Sequence, residues 1–291
     1  MVYMPKFGDL CGRVKVCNRT ASRDRRSVEN KQNFHKYTQN LNFIKIMGCF
    51  LTNSSLGRKL VMSISGCFLV LFITFHMSMN VAAIFSADAY NWICAMLGAN
   101  WYAVAATGVL VAGVLVHFVC AFILTWQNRK ARGKVRYAVT VKEKGVDWTS
   151  KNMLLLGVIV VLGLALHLSH FWAKMMLQEL MGVHNVVLAD GSVVSPTNGA
   201  AIIQYTFSQW YNVVLYLVWF AALWLHLNHG VWSMFQTAGM ANDTWLPRLK
   251  LVSKLLSTVI FLGFSVVVVW FYVEHLLATC PCFAQLFDFC K

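Results

Sequence analysis

Six histidines fall within long apolar runs of the chain: His76, His117, His167, His170, His226 and His229. The clearest case is the stretch Trp210 to Met240, where the residues up to Leu225 are almost wholly apolar and His226 and His229 then follow. A run of roughly 20 apolar residues is what crossing a hydrocarbon core of about 30 Å takes. An imidazole at that depth is costly unless it faces the bundle interior and finds a partner, so it marks a functional site. The chemistry open to such rings is ligation of a metal or haem iron, or proton relay.

Composition fixes the class in which that chemistry operates. The chain is 291 residues long, 58% hydrophobic and 12% charged, with a mean hydropathy of +0.58, which describes a polytopic membrane protein and excludes a soluble enzyme. The net charge of +14 does not point to nucleic acid, because the Lys and Arg sit in an N-terminal tail and two loops, where membrane topology accounts for them. Residues 1–57 are basic and polar without apolar period, and are expected to be a disordered tail without the apolar core of a secretory signal. Met47 opens a second natural start, so residues 1–46 read as an over-extended beginning. Cys11 and Cys17 in that tail lack companion ligands at metal-site spacing.

Five apolar segments follow, at about 58–85, 102–126, 152–176, 208–236 and 251–277, each long enough to span. Pro5, Pro196, Pro247 and Pro281 all fall outside these limits. The expected fold is all-α: a bundle of five transmembrane helices over residues 58–277, with an outer tail at 278–291. The loop 127–151 carries eight Lys and Arg and the loop 237–250 carries Arg248 and Lys250, whereas 86–101 and 177–207 carry none. Retention of Lys and Arg on the cytoplasmic side then puts the N-terminus inside and the C-terminus outside. Trp92, Trp101, Trp126, Trp148, Trp172 and Trp210 fall near segment ends, as an aromatic belt requires.

On that topology the histidines sort into two depths. His76 in the first segment and His167 or His170 in the third lie towards the outer face. His117 in the second and His226 or His229 in the fourth lie towards the inner face. Paired imidazoles from facing helices are what a six-coordinate haem iron needs, so two haems b are expected, one at each depth. Zinc would call for four ligands gathered at one depth. A ring bonded to a neighbouring helix accounts for one such histidine but not for four in successive helices at matched depths. Spacing of i and i+3 does not choose within the pairs 167/170 and 226/229. Gly66 and Gly157 each lie ten residues before His76 and His167, about 15 Å along a helix, where small residues would make room for an inner porphyrin; this favours His167.

From Ser55 to His275 the chain resembles the five-helix dihaem cytochrome b anchors of succinate dehydrogenases and fumarate reductases, the succinate:quinone oxidoreductases. The residues that carry the resemblance are F-H-M-S-M-N at Phe75 to Asn80, V-H-F-V at Val116 to Val119, Gly157 with His167, and H-x3-G-V-W at His226, Gly230 and Trp232, followed by Gly239. The last motif selects His226. The chain departs from the family pattern in its basic tail and in the additional His170 and His229.

The resemblance implies His76 and His167 as iron ligands of the distal haem, and His117 and His226 as those of the proximal haem. It implies flavoprotein and iron–sulfur partner subunits that carry the dicarboxylate chemistry at the cytoplasmic face of a bacterial inner membrane, and a quinone, menaquinone in the dihaem type, as the electron-exchange substrate. The chain itself shows no nucleotide fingerprint and no cysteine array for iron–sulfur clusters. Arg58, Lys59, Ser63 and Ser65 are placed to meet haem propionates. Quinone reduction consumes protons, so Asp88 and Glu179, beyond the first and third segments, are the quinone-site candidates, with Glu274 and His275 as alternatives. Cys280, Cys282 and Cys290 lie in the outer tail, with no pairing deducible. Two other functions fit the histidine pattern: the haem b subunit of a hydrogenase or formate dehydrogenase, and a transporter using its histidines as a proton relay.

Overall fold

The computed structural model describes residues 54–132 and 148–279. The basic tail to residue 53, most of the loop between the second and third segments, and Cys280, Cys282 and Cys290 lie outside them. The elements are α1 (Ser55–Phe85), α2 (Ala87–Met96), α3 (Trp101–Arg132), α4 (Trp148–Lys151), α5 (Met153–His167) running into a π-turn (Leu168–Trp172), α6 (Met176–Leu180), β1 (Val186–Val187), β2 (Val193–Val194), α7 (Gly199–Phe207), α8 (Trp210–Met234) and α9 (Trp245–Thr279). Five of these helical runs, α1, α3, α5 with its π-turn, α8 and α9, are long and apolar enough to cross a membrane. Large apolar side chains such as Leu71, Val109, Leu162, Val218 and Leu262 point outward from them. In lipid that outward face costs nothing, while the helix satisfies its own backbone.

Three limits differ from the sequence reading, each for a physical reason. Helix α9 starts six residues before 251 and takes Pro247 into its first turn, where the missing N–H would have had no intrahelical partner. The third span ends in the π-turn, closed by Ala173 N–H to Leu168 O at 2.8 Å. The connections read as loops at 86–101 and 177–207 are folded. Ser86 caps α2 by accepting from Ala89 N at 3.2 Å, Asn198 caps α7 by accepting from Ala201 N at 3.1 Å, and β1 and β2 form a short antiparallel hairpin. The Ala200 N–H donates to Asn91 Oδ1 at 2.9 Å, tying α7 to α2.

The core lies along the α8–α9 seam. Val213, Tyr216, Phe220, Leu223, Leu227 and Val231 recur at helical spacing on α8, and they bury against Ser253, Ser257, Ile260, Val267, Val268 and Phe271 of α9. Small residues let the backbones approach, and Ser253 Oγ donates to Asn228 O at 2.6 Å across the seam. Helix α5 lies close to α8: Trp219 covers Gly163, and its Nε1 donates to Val160 O at 3.1 Å. A Cβ at Gly163 would run into the indole. Gly163→Ala should therefore lower the thermal midpoint in detergent, by the equivalent of about 1–3 kcal/mol of overpacking; an unchanged midpoint would show that Trp219 can move aside freely.

Helices α1 and α3 behave differently. They make no comparably extensive close backbone approach to the rest of the bundle; Phe68 of α1 meets Gly113 of α3, and Met77 of α1 reaches Gly263 of α9.

Candidate cofactor site in two histidine pairs

Four of the spanning helices, α1, α3, α5 and α8, bring histidines together in pairs. The ring of His76 on α1 faces that of His167 on α5 with centroids 5.7 Å apart and planes at 84°. The ring of His117 on α3 faces that of His226 on α8 with centroids 6.4 Å apart and planes at 68°. Gly66 and Gly157 tie the two levels to one axial scale. An added Cβ at Gly66 would lie 3.4 Å from His117 Cε1, and one at Gly157 would lie 3.7 Å from His226 Cε1. Both glycines thus border the second pair, ten residues or about 15 Å along their helices from the first.

The two histidines of each ambiguous pair have different neighbours. His167, not His170, faces His76, because the wider π-turn that begins directly after His167 carries His170 round the helix. There it stacks on Tyr216 at 5.9 Å and 17°, with Nδ1 3.3 Å from the Tyr216 hydroxyl. His226, not His229, faces His117; His229 lies edge-on to Trp232 at 4.9 Å.

Each pair has its own surroundings. His76 stacks on Phe72 at 5.5 Å and lies near Phe264, while His167 is bordered by Phe171, Tyr216 and Trp219, so the first pair sits in an aromatic enclosure. Its polar neighbour is Asn80, whose Nδ2 donates to His76 O at 2.8 Å and stands 3.5 Å from His76 Nε2, too long to hold the ring. Burial raises the Tyr90 hydroxyl well above the usual phenol range. It thus remains a donor, and it gives its proton to Asn80 Oδ1 at 3.1 Å, linking α2 to the first pair. In the second pair, His117 Nδ1 lies 3.2 Å from Ser65 Oγ, and His226 Nδ1 is buried without a hydrogen-bond partner.

These residues fit a haem at each level. Two imidazoles on opposite faces of one iron, with metal–nitrogen bonds of about 2 Å, hold their ring centroids about 6 Å apart. The observed separations of 5.7 and 6.4 Å bracket that value. The absence of side chains at Gly66 and Gly157 lets α1 and α5 come close to the second pair, and the buried His226 Nδ1 is a ring nitrogen without other employment. Among the described residues no three His, Cys, Asp or Glu side chains gather as a zinc site would need.

The remaining candidates are dispersed. Asp88 is exposed in the first turn of α2. Glu179, on α6, accepts from Ala99 N at 3.1 Å and covers Gly98, so its carboxylate holds the turn that leads into α3. Ser63 Oγ donates to Lys59 O at 3.0 Å, and Ser65 is engaged with His117. Lys59 is exposed, and Glu274 and His275 fall in the last turns of α9. The sequence reading missed Tyr216, which joins His167 and His170; its position ten residues before His226 is the same interval that separates Gly157 from His167. No family model, no curated protein and no solved structure matches the chain.

Proposed function

We propose that this chain is the membrane-anchoring, dihaem cytochrome b subunit of a succinate:quinone oxidoreductase, relaying electrons between an iron–sulfur subunit and menaquinone in a bacterial cytoplasmic membrane. The observation that carries the reading is the pairing of four histidines from four spanning helices at two levels, with ring separations suited to bis-imidazole iron. When bound, a haem b at each level would supply a one-electron carrier. His76 and His167 hold the ligand geometry at one level, and His117 and His226 at the other. The aromatic side chains around His76 and His167 shield the first pair from water. The flavoprotein and iron–sulfur partners would dock at the end where α1 begins, which the positive-inside rule places in the cytoplasm. Asp88 and Glu179, near the opposite end, are the carboxylates from which a quinone site could draw protons.

The test is a pyridine haemochrome assay, with a reduced-minus-oxidised spectrum, on the full chain purified from membranes. Two haems b per polypeptide are expected; one or none overturns the reading, and none favours the proton-relay transporter. Co-purified flavoprotein and iron–sulfur subunits with succinate dehydrogenase activity would separate this anchor from the haem b subunits of hydrogenases and formate dehydrogenases.

A further inference from the structure

The two rings of the second pair are not held alike, and the difference lies in Ser65. Its side chain is buried at 8% exposure on α1, one residue before Gly66. The hydroxyl has two contacts, Met62 O at 3.1 Å and His117 Nδ1 at 3.2 Å. It has one proton to give. A carbonyl accepts and never donates, so when Ser65 Oγ–H points to Met62 O, the ring must supply the proton of the second bond. Ser65 Oγ donates to the Met62 carbonyl within its own helix, so it is the hydroxyl's lone pairs that face His117 Nδ1. The imidazole is then held as the Nδ1–H tautomer and its Nε2 lone pair is left free. His226 Nδ1, by contrast, has no partner.

We infer that Ser65 is a positioning residue for His117: it fixes the tautomer and plane of that ring and raises the basicity of the nitrogen left to coordinate. The inference rests on the haem reading given above. A hydrogen bond to the distal nitrogen of a ligating imidazole orients the ring and strengthens it as an electron donor, and losing such a partner typically weakens metal retention about 10–100-fold. A stronger donor favours the more positively charged, oxidised iron. Loss of the bond should therefore raise the midpoint potential of the His117/His226 haem and leave the His76/His167 haem as it was, since that pair stands about 15 Å further along α1.

The experiment uses the full chain in membranes, with an optical redox titration that resolves both haems and an EPR spectrum of the oxidised low-spin signals. The His117→Ala variant identifies which component belongs to the second pair. In Ser65→Ala that component alone should rise in potential, change its g anisotropy and be lost more readily to a haem-scavenging apoprotein. Ser65→Thr, which keeps a hydroxyl able to reach the same carbonyl, should restore all three. If Ser65→Ala does not assemble, Ser65→Cys, close in volume and only a weak hydrogen-bonding group, must move the same component in the same direction. Unchanged components, or equal shifts of both, would overturn the role and leave Ser65 as a hydroxyl that merely back-bonds its own helix. Wild-type chain lacking haem would instead overturn the haem reading, so the two failures are distinct.

Discussion

On the dihaem reading proposed above, replacing any one of His76, His117, His167 or His226 with Ala should remove one bis-imidazole haem signal from the purified chain, whereas replacing His170 or His229 should remove neither. The expectation follows from which rings face each other. His170 is taken up by Tyr216, stacked and within 3.3 Å of its hydroxyl, and His229 lies against Trp232. The sharper form of the test uses double variants. His76→Ala with His167→Ala removes two ligands from one level, so one haem should survive. His76→Ala with His117→Ala removes one ligand from each level, so both signals should vanish. A within-pair double variant that lost both haems would mean that the levels are coupled through folding, and a cross-pair double variant that kept one would mean that the pairs are wrongly drawn. The haem-to-polypeptide ratio on material of unchanged helical content decides between them.

How much of this was legible in sequence depends on whether the determining interaction is periodic. The five spans and the matched depths of the histidines follow from hydropathy and helical rise, and the ten-residue interval from Gly66 to His76 and from Gly157 to His167 carries enough information to put both glycines beside the other pair. That interval also favours His167 over His170, but the local separation of these two rings has a cause that is not periodic. It turns on a π-turn beginning at Leu168, and a run as uniformly apolar as Leu164 to Trp172, broken only by His167, Ser169 and His170, gives no compositional sign of one. The connections at 86–101 and 177–207 lack a membrane-length run, so hydropathy alone presents them as loops. Their caps, Ser86 and Asn198, are short-range signals that mark helices of ten and nine residues, easily overlooked beside spans of up to 35. Pro247 misled for a similar reason, since a proline outside the apolar run still fits the first turn of the helix that contains it. The Glu179 carboxylate is legible as a charge just beyond the third span. Its hydrogen bond to Ala99 N, eighty residues away in sequence, is not.

The space between the helices gives the second large effect. Gly66→Leu or Gly157→Leu should cost the His117/His226 haem while sparing the other. At Gly66 the first added carbon would sit 3.4 Å from His117 Cε1, and at Gly157 it would sit 3.7 Å from His226 Cε1, both ordinary contact distances. Alanine is therefore tolerated at either site, and it gains roughly 0.5–1 kcal/mol of helix propensity over glycine. A leucine has no such room. Its branches must occupy the volume beside the ring, so either the imidazole turns out of the axis that joins it to its partner, breaking the Ser65 contact when the ring is His117, or α1 or α5 moves away and opens the bundle. Either route should disturb the ring geometry at that level only, because the first pair lies further along α1 and α5 and is enclosed by Phe72, Phe171, Trp219 and Phe264. Gly108→Leu supplies the control, since a Cβ there meets nothing within 4 Å and both haems should remain. Haem stoichiometries of two for Gly66→Ala, Gly157→Ala and Gly108→Leu, and of one for Gly66→Leu and Gly157→Leu, would tie the second pair to these glycines. Two haems in both leucine variants at 66 and 157 would mean that the macrocycle lies on the side of the rings away from the glycines.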